Sequence, residues 1–420
     1  MVCAPGFMSH APKVVFWNHV PATAAVGRFN AVARRGNLDF EVWFSELESA
    51  NRRWNAKPAS WEFRSRLLKE RSFLGKPLKA PFAELHQSCP DLLIGSYDSI
   101  GHVLGLFAAS HLGSRIAFRF LPSFDAWFPR RRWKETLKSF LFRAADGAKV
   151  SGQDAKALAV RYGMPVERIA TVTQSIDFGH YATAISLRQS SVCDRRTKLG
   201  LEGCTFVYVG RLWRGKGLDD LFEAYTTLRS KHDRVSLLIV GEGVDSAFYR
   251  EKYKGVQGIR FAGHVKTEDL PEYYAAADVM VFPTLGDPHG VVVEEAMAAG
   301  LPILSTTAAG DITRRVPDGS AGFLVPPRAP MALAEKMLFM ARNLSDLKMM
   351  GNTAHQIAQG CDHGQYAVEF EKFVEVVLSQ PRRATTQARI ARAIGRTALA
   401  ISEGGAPADF LSFSRSRLDP

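Results

Sequence analysis

The segment Phe206-Val-Tyr-Val-Gly-Arg-Leu-Trp-Arg-Gly-Lys-Gly217 joins a short apolar run to a glycine-rich turn, and an amphipathic pattern follows from Leu218 to Leu228. This order predicts a buried strand, a tight turn and a helix, as in the parallel sheets of Rossmann-like domains. A glycine-opened turn lets the backbone approach a diphosphate, and Arg211 and Lys216 supply positive charge. The turn therefore predicts a phosphate site, with ordinary solvated cations as the alternative.

A second strand, loop and helix follow between residues 278 and 300. Two carboxylates, Asp287 in the loop and Glu295 in the helix, are eight positions apart, so they can face one crevice. Carboxylates accept paired hydrogen bonds from sugar hydroxyls, and the helix start offers free N–H groups to a phosphate or sugar oxygen. Gly290 removes the side chain that would block that approach. The alternative is that Asp287 caps the helix and Glu295 is a surface residue.

Short β-branched runs alternate with helical patterns in two stretches that begin at Lys13 and Thr205. A chain of 420 residues is long enough for two domains of about 200 residues each. The pattern therefore predicts an α/β protein with two doubly wound domains. We expect a flexible N-terminus at 1–12, a first, acceptor-side domain at 13–185, a linker at 186–200 and a second, donor-side domain at 201–365. A closing helix at 366–380 then either stays with the second domain or returns to the first. A basic, disordered tail follows at 381–420.

Composition limits the classes of protein and of partner. No apolar run reaches the roughly 18 to 20 residues that span a bilayer, and the N-terminal residues lack the pattern of a secretory signal. The five cysteines are far apart and predict neither a disulfide framework nor a metal site, which fits a cytoplasmic location. The net charge of +12 favours an acidic partner, such as an anionic membrane surface or a phosphorylated substrate. No nucleic-acid-binding motif accompanies that charge, so we expect no nucleic-acid partner.

Several segments of the second half together resemble one family. They are the turn at 210–217, Leu237-Leu-Ile-Val-Gly-Glu-Gly243, Phe261-Ala-Gly-His-Val265, the stretch from Asp287 to Leu304, and Asp318-Gly-Ser-Ala-Gly-Phe-Leu-Val325. This half is similar to the donor domain of retaining glycosyltransferases of family 4, also known as glycosyl transferases group 1. The resemblance implies the GT-B fold, in which two Rossmann-like doubly wound domains, an acceptor-side and a donor-side one, face each other across a cleft. A fainter similarity extends over most of residues 13–375.

The resemblance also implies roles for individual residues. The family's donor motif is Glu, seven residues, Glu; this chain keeps the spacing with Asp287 and Glu295. Glu295 is then expected to hold the ribose hydroxyls, Asp287 the transferred sugar, and Arg211 with Lys216 the diphosphate, so that Arg211, Lys216 and Asp287 form the catalytic set. The remaining donor residues implied are Gly210, Val265 through its backbone against the base, Gly290 and Val291 through theirs near the sugar and phosphate, and His289 in place of the family's usual aromatic residue.

The family's mid-domain histidine is missing after the run Ser114–Phe120. Candidates for the acceptor or sugar side are His19, His102, Arg119 and Asp125. The segment 124–138 interleaves five cations with four large aromatic residues, a mixture typical of an anionic membrane surface or a site for a phosphorylated lipid-linked acceptor. A core-facing aromatic set with a solvated basic face is the alternative.

The resemblance thus implies a hexosyltransferase-type enzyme that uses a UDP- or GDP-sugar as substrate and a glycan or lipid-linked acceptor, with retention of anomeric configuration. Polysaccharide or glycolipid synthesis at the inner face of the membrane is the expected setting. No DxD element is present, and we expect no metal and no cofactor. Two alternatives stay open: a GT-B-fold sugar-nucleotide epimerase or hydrolase, and a non-catalytic partner that binds nucleotide sugar.

Overall fold

The alternation of apolar runs and helical patterns produces two parallel sheets. The computed structural model describes residues 11–47, 58–121 and 131–403. Within that part of the chain, a first unit contains everything up to residue 120, then 131–173, and 366–403, while the second unit contains 174–365. Each unit has its own sheet, as predicted for two Rossmann-like domains.

The first unit is built on a parallel sheet flanked by helices. Its strands are β1 (Lys13–Asn18), β2 (Asp39–Phe44), β3 (Arg64–Leu67), the antiparallel ribbon β4 (Arg71–Phe73) and β5 (Lys76–Leu78), β6 (Leu92–Gly95), β7 (Arg115–Phe120), β8 (Gly147–Val150) and β9 (Ile169–Thr171). Its helices up to residue 173 are α1 (Thr23–Arg35), α2 (Phe82–Ser88), α3 (Ile100–Leu112), α4 (Arg132–Ala144) and α5 (Gln153–Arg161). The strand order β3-β2-β1-β6-β7-β8-β9 reverses direction between β1 and β6, so a topological switch point lies there.

The second unit repeats the design with six strands. It contains α6 (Phe178–Leu199), β10 (Cys204–Val209), α7 (Leu218–Lys231), β11 (Val235–Val240), α8 (Ser246–Lys252), β12 (Ile259–Gly263), α9 (Leu270–Ala275), β13 (Val279–Phe282), α10 (Val292–Ala298), β14 (Ile303–Thr306), α11 (Ile312–Arg315), β15 (Gly322–Val325), α12 (Pro330–Arg342) and α13 (Leu344–Ala358). The order β12-β11-β10-β13-β14-β15 puts a switch point between β10 and β13. Both β10 and β11 are buried along their whole length, because helices cover both faces of a parallel sheet.

The structure differs from the expected linker at 186–200. The 22-residue helix α6 covers this segment, and residues 174–185 belong to the second unit rather than the first. The segment is polar because its arginines bond to the neighbouring helix α9 and beyond: Arg188 Nη2 donates to Tyr274 O at 3.1 Å, and Arg196 pairs with Asp278 at 2.6 Å. The polar composition of this segment therefore belongs to a helix that packs on the second unit, not to a linker.

The expected disordered tail is also wrong over part of its length. Helix α14 (His363–Ser379) enters the first unit from Tyr366 onward, and α15 (Thr386–Ser402) then packs against α3 and α4 of that unit. The buried face of α15 consists mainly of small residues, and a Cβ at Gly395 would lie 2.1 Å from Phe107 O. Small residues let two backbones approach closely, so a helix poor in large apolar residues still packs. Of the helices described, none has the length and apolar character needed to span a membrane.

Candidate functional site

The predicted phosphate turn lies at the carboxyl end of β10, beside the switch point of the second sheet. Gly210 has φ +155°, and the Tyr208 hydroxyl donates to Arg211 O at 2.8 Å. At Gly217, with φ +70°, a Cβ would lie 1.9 Å from Pro283 O, which follows β13. Glycine is required there because the turn touches the loop after the neighbouring strand. The two predicted donor segments are therefore in contact.

An ion pair joins these segments. Lys216 Nζ donates to Asp287 Oδ2, and both side chains are largely buried. The other oxygen, Asp287 Oδ1, accepts the His289 N–H at 2.9 Å. Burial by itself raises the pKa of Asp287, but Lys216 and the His289 amide outweigh it, so the pKa is lowered and the carboxylate is charged. Two of the three predicted catalytic residues are thus directly paired.

Arg211 is the third member of that set and lies in the same turn. Its side chain is exposed, and its guanidinium forms no ion pair within the described parts of the chain. A free guanidinium beside a lysine and a glycine-opened turn is suited to a diphosphate. Besides the exposed Arg214, the turn therefore supplies one cation engaged by Asp287 and a second, Arg211, with no ion partner among the described residues.

The loop after β13 leads directly into α10. Gly290 has φ +77°, and a Cβ there would lie 2.4 Å from the Phe282 ring. Helix α10 begins at Val292, and no side chain caps it. Asp287 is occupied by Lys216 and the His289 amide instead, so the alternative in which it merely caps the helix is wrong.

Glu295 is not an ordinary surface residue either. Its side chain is partly buried, and Oε2 accepts the Tyr274 hydroxyl at 2.9 Å. Burial is the main cause that raises the pKa of Glu295 to about 7; the neighbouring Glu294 adds to it, while the hydroxyls of Tyr274 and Tyr181 act in the opposite direction. A carboxyl group poised near neutral pH beside two hydroxyl donors is a typical feature of a binding site.

Three residues behind the loop form a cluster that sequence reasoning missed in part: Glu294 and His289 are buried, and Arg315 is half-buried. Arg315 donates to both oxygens of Glu294, at 2.5 and 2.7 Å, and His289 Nε2 lies 3.3 Å from Glu294 Oε1. Arg315 also donates to backbone carbonyls of Gly290, at 3.2 Å, and Gly310, at 3.1 Å. Although burial raises the pKa of Glu294, Arg315 and His289 lower it to about 2. No sequence motif indicated that Glu294 and Arg315 form a pair, because 21 residues separate them.

The remaining donor candidates occupy the same edge of the sheet. Val265 follows the carboxyl end of β12, and Val291 lies immediately before α10; both pack against the core of the unit. His289 is buried, which together with Arg315 lowers its pKa, so the ring is neutral near pH 7. All the predicted donor residues therefore lie at the carboxyl ends of β10, β12 and β13, where parallel sheets bind ligands.

The first unit brings three of the four acceptor-side candidates into electrostatic reach of one another. His102 stacks on Trp17 with ring centroids 4.1 Å apart, and its Nδ1 lies 2.7 Å from Ser99 Oγ. Burial lowers the pKa of His102 to about 4, Asp98 opposes the shift, and His19 and Arg119 add to it. Its Nε2 is buried and, within the described residues, has no hydrogen-bond partner.

The other candidates differ in setting. Arg119 Nη1 donates to Asn18 Oδ1 at 2.9 Å. His19 is half exposed, and its Nε2 lies 3.8 Å from Glu46. Asp125 is outside the described residues. Over the ranges described, no group of three or more His, Cys, Asp or Glu side chains is arranged to hold a metal, so the prediction about metals stays a prediction.

Solved structures share this architecture. Anabaena Alr3699/HepE in complex with UDP and glucose is 18% identical, with a TM-score of 0.70 that covers 87% of this chain and 99% of that one. WaaG, a glycosyltransferase involved in lipopolysaccharide biosynthesis, is 17% identical, with a TM-score of 0.61 over 86% and 99%. The likeness shows the fold: the chain has the two-domain GT-B fold of glycosyltransferases, as predicted.

Sequence comparison supplies the family. Residues 203–343 match the family described as glycosyl transferases group 1. This segment of the second unit therefore matches the glycosyl transferases group 1 that its motifs resemble. Glycogen synthase of Mycobacterium tuberculosis (strain CDC 1551 / Oshkosh) is 28% identical over 207 residues, which cover 48% of this chain and 47% of that one. Phosphatidyl-myo-inositol mannosyltransferase of Mycobacterium leprae (strain TN) is 35% identical over 144 residues, 34% of this chain and 38% of that one. The chain spans about half the length of these relatives or less.

Proposed function

We propose that the protein is a glycosyltransferase that moves a hexose from a nucleotide-diphosphate sugar to a glycan or lipid-linked acceptor, with retention of anomeric configuration. The observation that carries the proposal is the Lys216–Asp287 pair beside the free Arg211 at the switch point. UDP is the nucleotide we favour, because the similar HepE structure contains UDP and glucose.

Each donor-side residue has a role in this proposal. Glu295 accepts the ribose hydroxyls, Arg211 and Lys216 bind the diphosphate, and Asp287 contacts the sugar. Gly290 and Val291 offer backbone N–H groups to the sugar and phosphate, and Val265 contacts the base. The sugar thus lies beside the loop that Arg315 holds from behind.

In the proposed reaction, the protein acts by positioning the two substrates and by stabilising the charge that develops on the leaving diphosphate. As the bond between the anomeric carbon and the phosphate oxygen breaks, negative charge grows on the diphosphate and the sugar becomes oxocarbenium-like. Arg211 and Lys216 stabilise the leaving group in place. The acceptor hydroxyl forms the new bond on the same face, and its proton passes to the departing phosphate oxygen, which balances the exchange.

Incubation of the purified protein with UDP- and GDP-sugars, with and without glycan or lipid-linked acceptors, tests the proposal. We expect slow donor hydrolysis alone and transfer with a suitable acceptor, and NMR of the product gives its anomeric configuration. The variant Arg211→Ala plus Lys216→Ala should lose both reactions, whereas Arg214→Ala, an exposed cation in the same turn, should keep them. Donor binding without any turnover would favour the non-catalytic alternative, and a free, isomerised sugar nucleotide would favour an epimerase.

We also propose peripheral contact with an anionic membrane at the start of α4, in a setting of cell-surface polysaccharide or glycolipid synthesis. Trp133 and Leu137 are 61% and 47% exposed, and the adjacent Arg131, Arg132 and Lys134 are exposed as well. Exposed aromatic and basic side chains favour an anionic interface. Co-sedimentation with anionic but not neutral vesicles, weakened by Trp133→Ala, is expected; no binding to either would contradict the contact.

A further inference from the structure

The first unit contains a buried group of cations that the proposed donor chemistry does not use. Arg119 on β7 and Lys149 on β8 are register partners on adjacent parallel strands, so their side chains leave the sheet on the same face. Each is the penultimate residue of its strand. Arg28 of α1 lies beside them, with its Cζ 5.6 Å from the centroid of the Tyr366 ring.

Lys149 is the most unusual member of this group. It is only 2% exposed, and its Nζ lies 5.1 Å from the centroid of the same Tyr366 ring. Within the described residues, no hydrogen bond or ion pair reaches this ammonium group. Buried lysines are normally paired, because removal of an ammonium ion from water costs far more than contact with one aromatic ring returns.

The charges around Lys149 do not balance. Arg28 and Arg119 both act on it with the same sign, and Glu369 is the carboxylate that opposes them. Glu369 Oε2 also accepts the Thr173 N–H at 2.7 Å. Burial, followed by these two arginines, lowers the pKa of Lys149 well below its ordinary value. Burial likewise lowers the pKa values of Arg28 and Arg119.

Position in the fold connects this group to ligand binding. The carboxyl ends of β7 and β8 lie on the same edge of the sheet as the end of β1, whose last residue, Asn18, accepts a hydrogen bond from Arg119. Open parallel sheets bind ligands at this edge, next to the switch point. His102 follows β6 at the same edge, and its buried Nε2 has no hydrogen-bond partner in the part of the chain that the structure describes.

We propose that Lys149 and Arg119, with Arg28 beside them, bind a phosphate group of the acceptor. A phosphate dianion matches two or three cations with one nearby carboxylate, and the planar guanidinium groups suit its oxygens. The assignment of this phosphate to the acceptor rests on the proposed function. Binding of the anion itself does not depend on it.

Calorimetric titration of the whole protein with inorganic phosphate at constant ionic strength tests the site. Lys149→Met should weaken the phosphate affinity by about 30-fold or more, because it removes a buried charge from the site. Lys69→Met, the same change at an exposed position of the same unit, should leave that affinity unchanged. The phosphate affinity of Lys216→Met is measured as well. Because this variant lacks the lysine of the donor turn, any affinity that it loses comes from phosphate bound at that turn and not at Lys149. Equal phosphate affinity in Lys149→Met and Lys69→Met would overturn the proposal.

Thermal unfolding without phosphate distinguishes a ligand site from a structural role. Lys149→Met should be at least as stable as the wild type, because an apolar side chain replaces an unpaired buried cation. A structural lysine predicts a lower Tm and unchanged phosphate affinity, which would contradict the site. If Lys149→Met fails to fold, Arg119→Gln provides the same affinity test.

Two further arms identify the source of the phosphate and keep the two proposals apart. Glycerol phosphate represents a soluble phosphomonoester, and vesicles of phosphatidylcholine with phosphatidic acid represent a lipid headgroup; Lys149-dependent binding to either supports the site and names its source. UDP binding by the wild type is measured alongside. Absence of UDP binding with retained phosphate binding would count against the proposed function alone, and the reverse against the phosphate site alone.

Discussion

Two adjacent glutamates on one short helix have opposite environments. Glu294 meets Arg315 and His289, and its pKa falls to about 2, whereas Glu295 meets Tyr274 and burial raises its pKa to about 7. Consecutive side chains leave a helix in different directions, so neighbours in sequence contact different groups. Paired carboxyl groups whose pKa values are pushed apart have different tasks. Here Glu294 holds the loop through Arg315, whereas Glu295 is the carboxylate that we propose for the ribose hydroxyls.

We expect UDP affinity to increase between pH 6 and pH 8. The ribose hydroxyls donate to a carboxylate, so binding favours the ionised form of a group whose pKa is about 7 in the free protein. The groups that face it are Tyr181, Tyr274, Glu294 and His180. The increase should approach about tenfold per pH unit below the pKa and level off above it.

The Glu295→Gln variant should bind UDP more weakly and without this pH dependence. Titration calorimetry at several pH values measures both effects, and an identical profile in the variant would contradict the role of Glu295.

The contribution of Glu295 to folding stability changes with pH in the opposite direction to its contribution to UDP binding. Because the folded pKa is raised from 4.5 to about 7, the contribution of Glu295 to folding is complete below about pH 4.5 and is lost as the pH rises through 7.

At the scale of elements, the loop between β13 and α10 is held from two sides. Lys216 contacts it from the turn after β10, and Arg315 contacts it from α11 through the carbonyls of His289 and Gly290 and through Glu294 of α10. Such double support orients the backbone at the start of α10 before any ligand arrives. Preorganised donors of this kind are what transition-state stabilisation requires.

Arg315→Met should lower the free energy of unfolding of the second unit by about 3–5 kcal/mol, because it leaves the Glu294 carboxylate buried and unpaired. The double variant Arg315→Met plus Glu294→Leu should recover much of that loss, since it removes the charge as well. Urea denaturation measures both. Arg314→Met, at a neighbouring exposed position, should change stability by less than about 1 kcal/mol. A double variant no more stable than Arg315→Met would argue against the pair.

Gly290→Ala should destabilise the second unit by about 2–4 kcal/mol and weaken UDP binding, because the new Cβ would meet the Phe282 ring as well as a positive φ. Gly319→Ala is a matched control: its φ of +78° is almost the same, and nothing lies within 4 Å. That variant should lose only about 1 kcal/mol and bind UDP normally. Thermal unfolding and UDP titration compare the two. Equal losses would show that backbone strain alone explains Gly290.

At the scale of the whole molecule, each unit has a parallel sheet with a switch point, and residues 366–403 belong to the first unit. Helix α14 enters that unit from Tyr366 onward, and α15 packs on α3 through small residues. The unit is therefore assembled from segments at both ends of the chain. Its stability therefore depends on α14 and α15 as well as on the elements before residue 173.

Gly395→Leu should destabilise the first unit by about 1–3 kcal/mol, because the added side chain would meet the Phe107 carbonyl. The second unit should keep its transition, identified in a calorimetric scan by its shift on addition of UDP. Ala393→Leu places the same side chain at an exposed position of the same helix and should have little effect. A loss of stability confined to the UDP-sensitive transition would contradict the assignment of α15.

Local sequence patterns were enough to predict the two-domain α/β class, the strand, turn and helix at 206–228 and the family that the second half resembles. Those features depend on local patterns: apolar runs predict buried strands, and glycines mark turns with positive φ. The prediction from sequence was wrong about 186–200 and 386–402, because composition does not reveal arginines that bond to a neighbouring helix or small residues that pack closely.

Which polar groups contact one another depends on the three-dimensional fold. Lys216 and Asp287 are 71 residues apart, and Arg119 and Lys149 become neighbours only through strand pairing. The ion pair between Glu294 and Arg315 likewise joins residues that are distant in sequence. Charge pairing and burial depend on distance in space, for which sequence separation is no guide. Secondary structure and turns could therefore be predicted from the sequence, whereas the ion pairs and the buried charges depend on the folded arrangement.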